Sequence, residues 1–236
     1  MNERYATAVL VCVLAFATAS SWAAPRAVKA TYGGYMNGVP IGVISEHFES
    51  DGATYRIESD TKATGIAALV SPQPVRFSSA GQITREGLRP AQFQARRAEE
   101  ETPRISADFD WSAGQLVLKR EGKSESLPVA AGTQDRLSIM YQWMFMPLEG
   151  ASELEFAMTN GRRLGHYRYS VTPDVEIDTA LGRLNTLHVV RQRGTSESQT
   201  EVWLSVQHRH VPVKVLYVER DGVRFEQRIQ SLEIRD

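Results

Sequence analysis

The residues able to do chemistry are sparse. Five histidines are present, and His208 and His210, as alternate residues, could share one strand face as metal ligands. A third ligand does not converge on them, because the neighbouring hairpin leaves His188 roughly 13 Å along the sheet from His208. Metal binding is therefore not expected, and the histidines read as solvated or edge residues. Ser59-Asp60-Thr61-Lys62 matches the S-x-x-K pattern of serine acyl enzymes, which requires both side chains on one helical face. This segment alternates like a strand instead, and residues three apart on a strand point to opposite sides. Asp108 and Asp110 offer a carboxylate pair of the kind used in glycoside hydrolysis. They share the polar side of a strand whose other side presents Ala107, Phe109 and Trp111, which points to a structural role. Glu99-Glu100-Glu101 reads as a solvated run. No nucleophile elbow, zinc-protease helix, P-loop or dinucleotide fingerprint occurs. A hydrolase would have to draw on Asp135, Arg136, Asp110 and His188. The expectation is no catalytic residue, no metal and no cofactor.

Apolar residues form the more telling cluster. Between Gln134 and Met146, Leu137, Met140, Tyr141, Met144 and Phe145 recur at the spacing of one helical face, and Pro147 ends the run. Thr133 is the expected N-cap, and Asp135 places negative charge in the first turn. Ile139, Trp143 and Met146 cover a second face. A helix apolar nearly all round must be enclosed, and the concave side of a sheet is the enclosure on offer. Thioether and aromatic groups make an adaptable apolar surface, so Met140, Tyr141, Trp143 and Met144 are the expected ligand-contacting residues. Ile66 and Leu69 join them from Thr64 to Val70, a short apolar run read as a small helix or lid. Asp135 and Arg136 are expected to cap and anchor the helix, and Trp111 and Trp203 to serve structurally.

The elements positioning this helix are strands. Glu153 to Thr159 alternates strictly, with Leu154, Phe156 and Met158 on one face. Asn160-Gly161 marks a turn, and Tyr167, Tyr169 and Val171 repeat the pattern. Asn37-Gly38, Asp51-Gly52 and Asp221-Gly222 punctuate further runs with residues that tolerate positive φ. About eleven strands follow. The fold expected is mainly β, a long antiparallel meander forming a curved, open or closed barrel-like sheet around one apolar helix and a short helix or lid. An outer-membrane barrel fits poorly, since both faces carry charge, as in Arg56, Glu58, Asp60 and Lys62.

The first residues read as an export signal: Arg4, an apolar run from Tyr5 to Ala19, then Ser21-Trp22-Ala23 before the expected cut. The division expected is a signal peptide at 1–23 and one β-rich periplasmic domain at 24–236, with nothing membrane-spanning once the signal is removed. Cys12 is the only cysteine and leaves with the signal, so disulfides and thiol chemistry are excluded. The 27 basic and 28 acidic residues nearly cancel, at a net charge of -1, which argues against nucleic acid or a polybasic membrane surface.

Particular strings carry a resemblance: Phe109-Asp110-Trp111, Gly132-Thr133-Gln134-Asp135-Arg136-Leu137-Ser138, Leu181-Gly182 through Thr186-Leu187-His188, Trp203-Leu204 and Pro212-Val213. Together they resemble the uncharacterised Gram-negative domain-of-unknown-function family numbered three-one-zero-eight, over nearly all of residues 24–236. The resemblance implies a periplasmic address and transfers no catalytic residue. A looser likeness, in architecture only, is to periplasmic carriers that shield lipoprotein acyl chains. The function expected is a non-enzymatic envelope protein binding a lipid, acyl chain or hydrophobic segment in a concave groove. The alternatives are a scaffold or partner-binding module of envelope assembly and an unrecognised hydrolase.

Overall fold

The computed structural model describes residues 24–70, 73–192 and 198–236. The expected signal at 1–23 and residues 194–197 of one polar loop lie outside the described residues. The strands are β1 (Ala27–Met36), β2 (Val39–Ser50), β3 (Thr54–Ala63), β4 (Val75–Thr84), β5 (Gly87–Arg97), β6 (Ile105–Asp110), β7 (Gln115–Arg120), β8 (Lys123–Pro128), β9 (Gln134–Asp135), β10 (Glu153–Thr159), β11 (Leu164–Thr179), β12 (Gly182–Arg191), β13 (Gln199–Ser205), β14 (Pro212–Val218) and β15 (Arg224–Arg235). Two short helices interrupt them, α1 (Ile66–Val70) and α2 (Ser138–Gln142), and α2 continues into a 3-10 turn at Trp143–Phe145. No helix of the described residues is long and apolar enough to cross a membrane.

Among the described residues all fifteen strands belong to one sheet, in the order β8-β7-β6-β5-β4-β3-β2-β1-β15-β14-β13-β12-β11-β10-β9. Every pairing is antiparallel except that of β9 with β10. The chain therefore starts in the middle, meanders to one edge at β8, crosses to the far edge at β9 and meanders back beside its own start. Only residues 129–133 make that crossing. Laid flat, fifteen strands at ~4.8 Å spacing would put the edges roughly 65 Å apart, whereas a link of this length reaches roughly 20 Å. The sheet must curl until its edges approach. The two edges are not paired with each other, so the curl stays open as a barrel-like wall, within the expected class.

Fifteen strands exceed the about eleven expected. β8 escaped the pattern because nearly all of Lys123–Pro128 is exposed, so no apolar face marks it. β9 is only two residues long. The hairpins elsewhere follow their turn signals: Asn37 and Gly38 take φ of 49° and 82°, the paired positive values that match a two-residue turn to the twist of its strands.

The helix expected over Gln134 to Met146 is shorter. Its first two residues extend instead, pairing with Met158 and Thr159 of β10. Thr133 does not cap it; the Thr133 hydroxyl donates to the Ala130 carbonyl. Asp135 is the cap: its Oδ1 accepts from the Leu137 and Ser138 N–H groups at 2.8 and 2.9 Å, and Ser138 Oγ accepts from the Asp135 N–H at 2.8 Å. This reciprocal pair satisfies the turn's orphan donors, and backbone pairing with β10 outcompetes an extra helical turn.

Enclosure is as expected. Leu137, Tyr141 and Met144 pack with Phe48, Ile57, Phe93 and Leu116 from the N-terminal strands. Ile139 and Trp143 pack with Tyr169, Val189, Val202 and Leu204 from the C-terminal strands. One short helix thus joins both halves of the wall.

Candidate functional site in the lumen

Tyr141 stacks on Phe48 at 5.2 Å, which identifies the concave face of β2 as the one bearing Ile44, Glu46 and Phe48. Register carries that face through Ser59 of β3 to Phe77 of β4, and the other way through Tyr32 to Ile229, then Gln227 and Phe225 of β15, opposite Val215 and Tyr217 of β14. Burial falls along these faces toward one end. Ser79, Ser59, Ile229 and Val213 are buried, while Phe77 and Val75, Thr61, Gln227 and Phe225, and Val215 and Tyr217 are half-buried. This gradient shows that α2 covers one end of the concave face and leaves the other end only partly covered.

Exposed apolar groups gather round the open end. Met36 and Val39 flank the β1–β2 turn at 39% and 61% exposure, and Ile66 and Leu69 of α1 are each 83% exposed. α1 packs alongside β2 and β3, and the Thr64 N–H donates to the Ile41 carbonyl. A different cleft, of ≈ 530 Å³, lies where β1 begins and β15 ends, at the opposite end of these strands, and is lined by charged residues including Arg26, Glu49, Arg56 and Arg235.

Behind the open space lies a buried polar layer. The Tyr141 hydroxyl donates to Glu46 Oε2 at 3.1 Å and the Ser59 hydroxyl to Oε1 at 3.3 Å. Burial pushes the Glu46 carboxyl up, and those two bonds and the nearby Arg136 charge only partly oppose it. Asp135 is pushed up to about 6, again by burial, against bonds from Ser79, Ser138 and Leu137. Ser79 donates to Asp135 Oδ2 at 2.6 Å and shares a 3.2 Å contact with Tyr55 Oη.

Arg136 leaves this layer on the lumen side. Its guanidinium lies 4.9 Å from the Phe77 ring centre and within electrostatic reach of Glu46 and Tyr217. Solvent reaches it although protein surrounds it closely enough for desolvation to lower its pKa. Both hold for a side chain on the concave side of an open curl. Guanidinium remains charged at neutral pH. Among the described residues, the Arg136 side chain makes neither a hydrogen bond nor a close ion pair.

The expected ligand residues are thereby distributed. Tyr141, Trp143 and Met144 are buried against the wall, at 2%, 1% and 6% exposure, and Met140 is half-buried. Ile66 and Leu69 stand at the rim. Sequence reasoning did not single out Glu46, Ser79, Phe77 or Tyr217. Glu46 had a visible signal, a carboxylate between Ile44 and Phe48 on one alternating face.

The hydrolase candidates are not assembled. Asp110 caps the turn at Ser112 and Ala113, and Asp135 serves α2. His188 Nε2 lies 2.9 Å from Glu201 Oε2, and its ring stacks at 4.3 Å on Trp203, which also lies under Lys214. Trp111 donates to the Pro90 carbonyl and stacks on Phe109. The strand face expected to carry His208 and His210 is absent. Val206–His208 form a 3-10 turn, and Arg209 and His210 follow with left-handed φ of 52° and 59°, because the chain must reverse there before β14. His208 Nδ1 lies 2.8 Å from Ser205 Oγ, but Ser205 is fully buried. Among the described residues no group of His, Cys, Asp and Glu could hold a metal ion.

Residues 28–228 match the family described as Protein of unknown function (DUF3108). No curated protein matches the sequence. Among solved structures, the chain is similar to a beta-barrel-like protein of domain of unknown function DUF1849 from Brucella abortus, at a TM-score of 0.55 and 13% identity, over 90% of this chain and 100% of that one. That likeness is one of fold. A candidate lipoprotein from Parabacteroides distasonis aligns at a TM-score of 0.36 and 10% identity over 89% of this chain and 96% of its own. A candidate outer membrane lipoprotein-sorting protein domain from Vibrio parahaemolyticus aligns at 0.27 and 10% over 91% and 86%. At those scores neither carries an argument about this chain.

Proposed function

Given that the chain belongs to the family described as Protein of unknown function (DUF3108), a description that brings no activity with it, we propose that it is a non-enzymatic binding protein of the periplasm that holds an acyl chain or another apolar segment in the open end of its lumen. The observation carrying this reading is the fall in burial along the concave face, ending at an apolar rim. Apolar concavities with few convergent polar groups are the usual form of small-molecule sites. The leader-like residues 1–23 support the address. Native mass spectrometry of protein purified from the periplasm, followed by lipid extraction, should show a co-purifying acyl species. A clean apo mass together with no uptake of an environment-sensitive apolar dye would overturn the reading.

One observation favours a partner-binding module instead: Ile66 and Leu69 are nearly bare on a helix of five residues. Crosslinking in cells from position 66 or 69 separates the two. Capture of one stable protein partner, with no acyl species bound, would favour the module.

A further inference from the structure

We propose that the lumen selects amphiphiles with a single anionic head group, a carboxylate or a phosphate monoester, and that Arg136 holds the head while the tail runs outward to the rim. This rests on the reading of the lumen as an apolar site and adds the chemistry of its ligand. Three observations carry it. Arg136 is a guanidinium inside the curl, stacked on Phe77 and without an ion-pair partner among the described residues. The nearby carboxyls make no close ion pair with it: Glu46, whose charge it feels at a distance, is engaged by Tyr141 and Ser59, and Asp135 by Ser79 and the start of α2. Tyr141 and Met144 of the adjacent α2 are already buried in the core, so a bound tail runs toward the less covered end of the wall, past Val215 and Tyr217 toward Met36, Val39 and Ile66.

A planar guanidinium presents paired donors that match a carboxylate or phosphate in two parallel hydrogen bonds. Its charge stands exposed to solvent and is only partly offset by Glu46, so an anionic head relieves a remaining imbalance. Neutral amphiphiles would fill the same apolar surface without that relief. Affinity should rise up to about fourfold per methylene while the tail lies against the wall, and level off once it passes the rim.

The test measures binding of dodecanoate, monododecyl phosphate and dodecanol to the full mature chain by displacement of an apolar dye, with wild type, Arg136→Gln and Arg136→Lys. Wild type should prefer at least one anion over the alcohol by about tenfold or more, and the stronger anion distinguishes a fatty-acid carboxylate from a phosphate head. Arg136→Gln should bind all three at the wild-type alcohol affinity. Arg136→Lys should keep part of the preference, since it retains charge but not the fork. If wild type binds the alcohol and both anions equally, or Arg136→Gln keeps the preference with an unchanged melting curve, the inference falls and the apolar site stands. If none of the three binds, both fall.

Discussion

The Ser79 hydroxyl donates a 2.6 Å hydrogen bond to the Asp135 carboxylate, tying β4 to the first turn of α2 across 56 residues of sequence. That contact, with the Asp135 bonds to the Leu137 and Ser138 N–H groups, sets the direction in which α2 enters the lumen and the side on which Arg136 emerges. It also buries a carboxyl completely.

Stability should therefore depend on pH in a defined sense. Asp135 titrates at about 6 in the fold and at about 3.9 in an unfolded chain. The fold favours the protonated form, so the contribution of Asp135 is full below about pH 4 and falls as the unfolded chain ionises first. It is lost above about pH 6, a change on the order of 3 kcal/mol. Asp135→Asn keeps an acceptor for the α2 N–H groups and removes the titration. The difference in urea-unfolding free energy between variant and wild type should grow across that window. An unchanged difference would mean that water relieves the buried charge. Glu46 is raised for the same reason, and Glu46→Gln should remove a slope of the same sign.

Trp143 fastens the enclosed helix to the C-terminal strands, meeting Phe156 at 5.5 Å and Tyr169 at 6.3 Å. Trp143→Ala should cost about 3–5 kcal/mol through lost burial and the cavity left behind. Thermal unfolding should show a drop in Tm on the order of 10 °C, and a shift of only a degree or two would mean the C-terminal strands do not depend on this contact.

Gln142 acts as a piece of missing strand. β6 pairs with β5 only from Gln92 to Ala95. Beyond it, Gln142 Oε1 accepts from the Leu88 N–H at 2.6 Å, and its Nε2 donates to the Glu86 carbonyl at 2.8 Å. Gln134 Nε2 donates to the Leu88 carbonyl at 2.8 Å. Gln142→Ala should cost about 1–3 kcal/mol, because the Leu88 N–H stays buried without a partner. Hydrogen exchange at Leu88 should speed up in parallel. Gly87→Ala should be at least as damaging, since Gly87 holds φ at 102° and a Cβ there would run into the Gln142 amide.

Ile66→Ser with Leu69→Ser should leave folding stability within ~0.5 kcal/mol, because both side chains are already in water. The same double variant should weaken dye or acyl binding if the rim receives the tail. Unchanged binding would remove α1 from the site.

Alternation of period two, turn residues that accept positive φ and the all-round apolar run before Pro147 are local properties. They were sufficient for a curled antiparallel meander with an enclosed helix. Contacts distant in sequence decided the rest. Gln134-Asp135 reads as the start of a helix, yet it pairs with Met158 and Thr159, and no local propensity predicts an edge strand folding back in parallel. β8 is almost wholly exposed because it lies at the edge of the sheet. Arg136 and Glu46 could be noticed as charges on apolar faces, but whether they meet is a matter of register across several strands. The periodicity of a chain shows which faces leave water; only the folded sheet shows that α2 fills one end of the space so enclosed and that the Arg136 guanidinium beside it lies over Phe77.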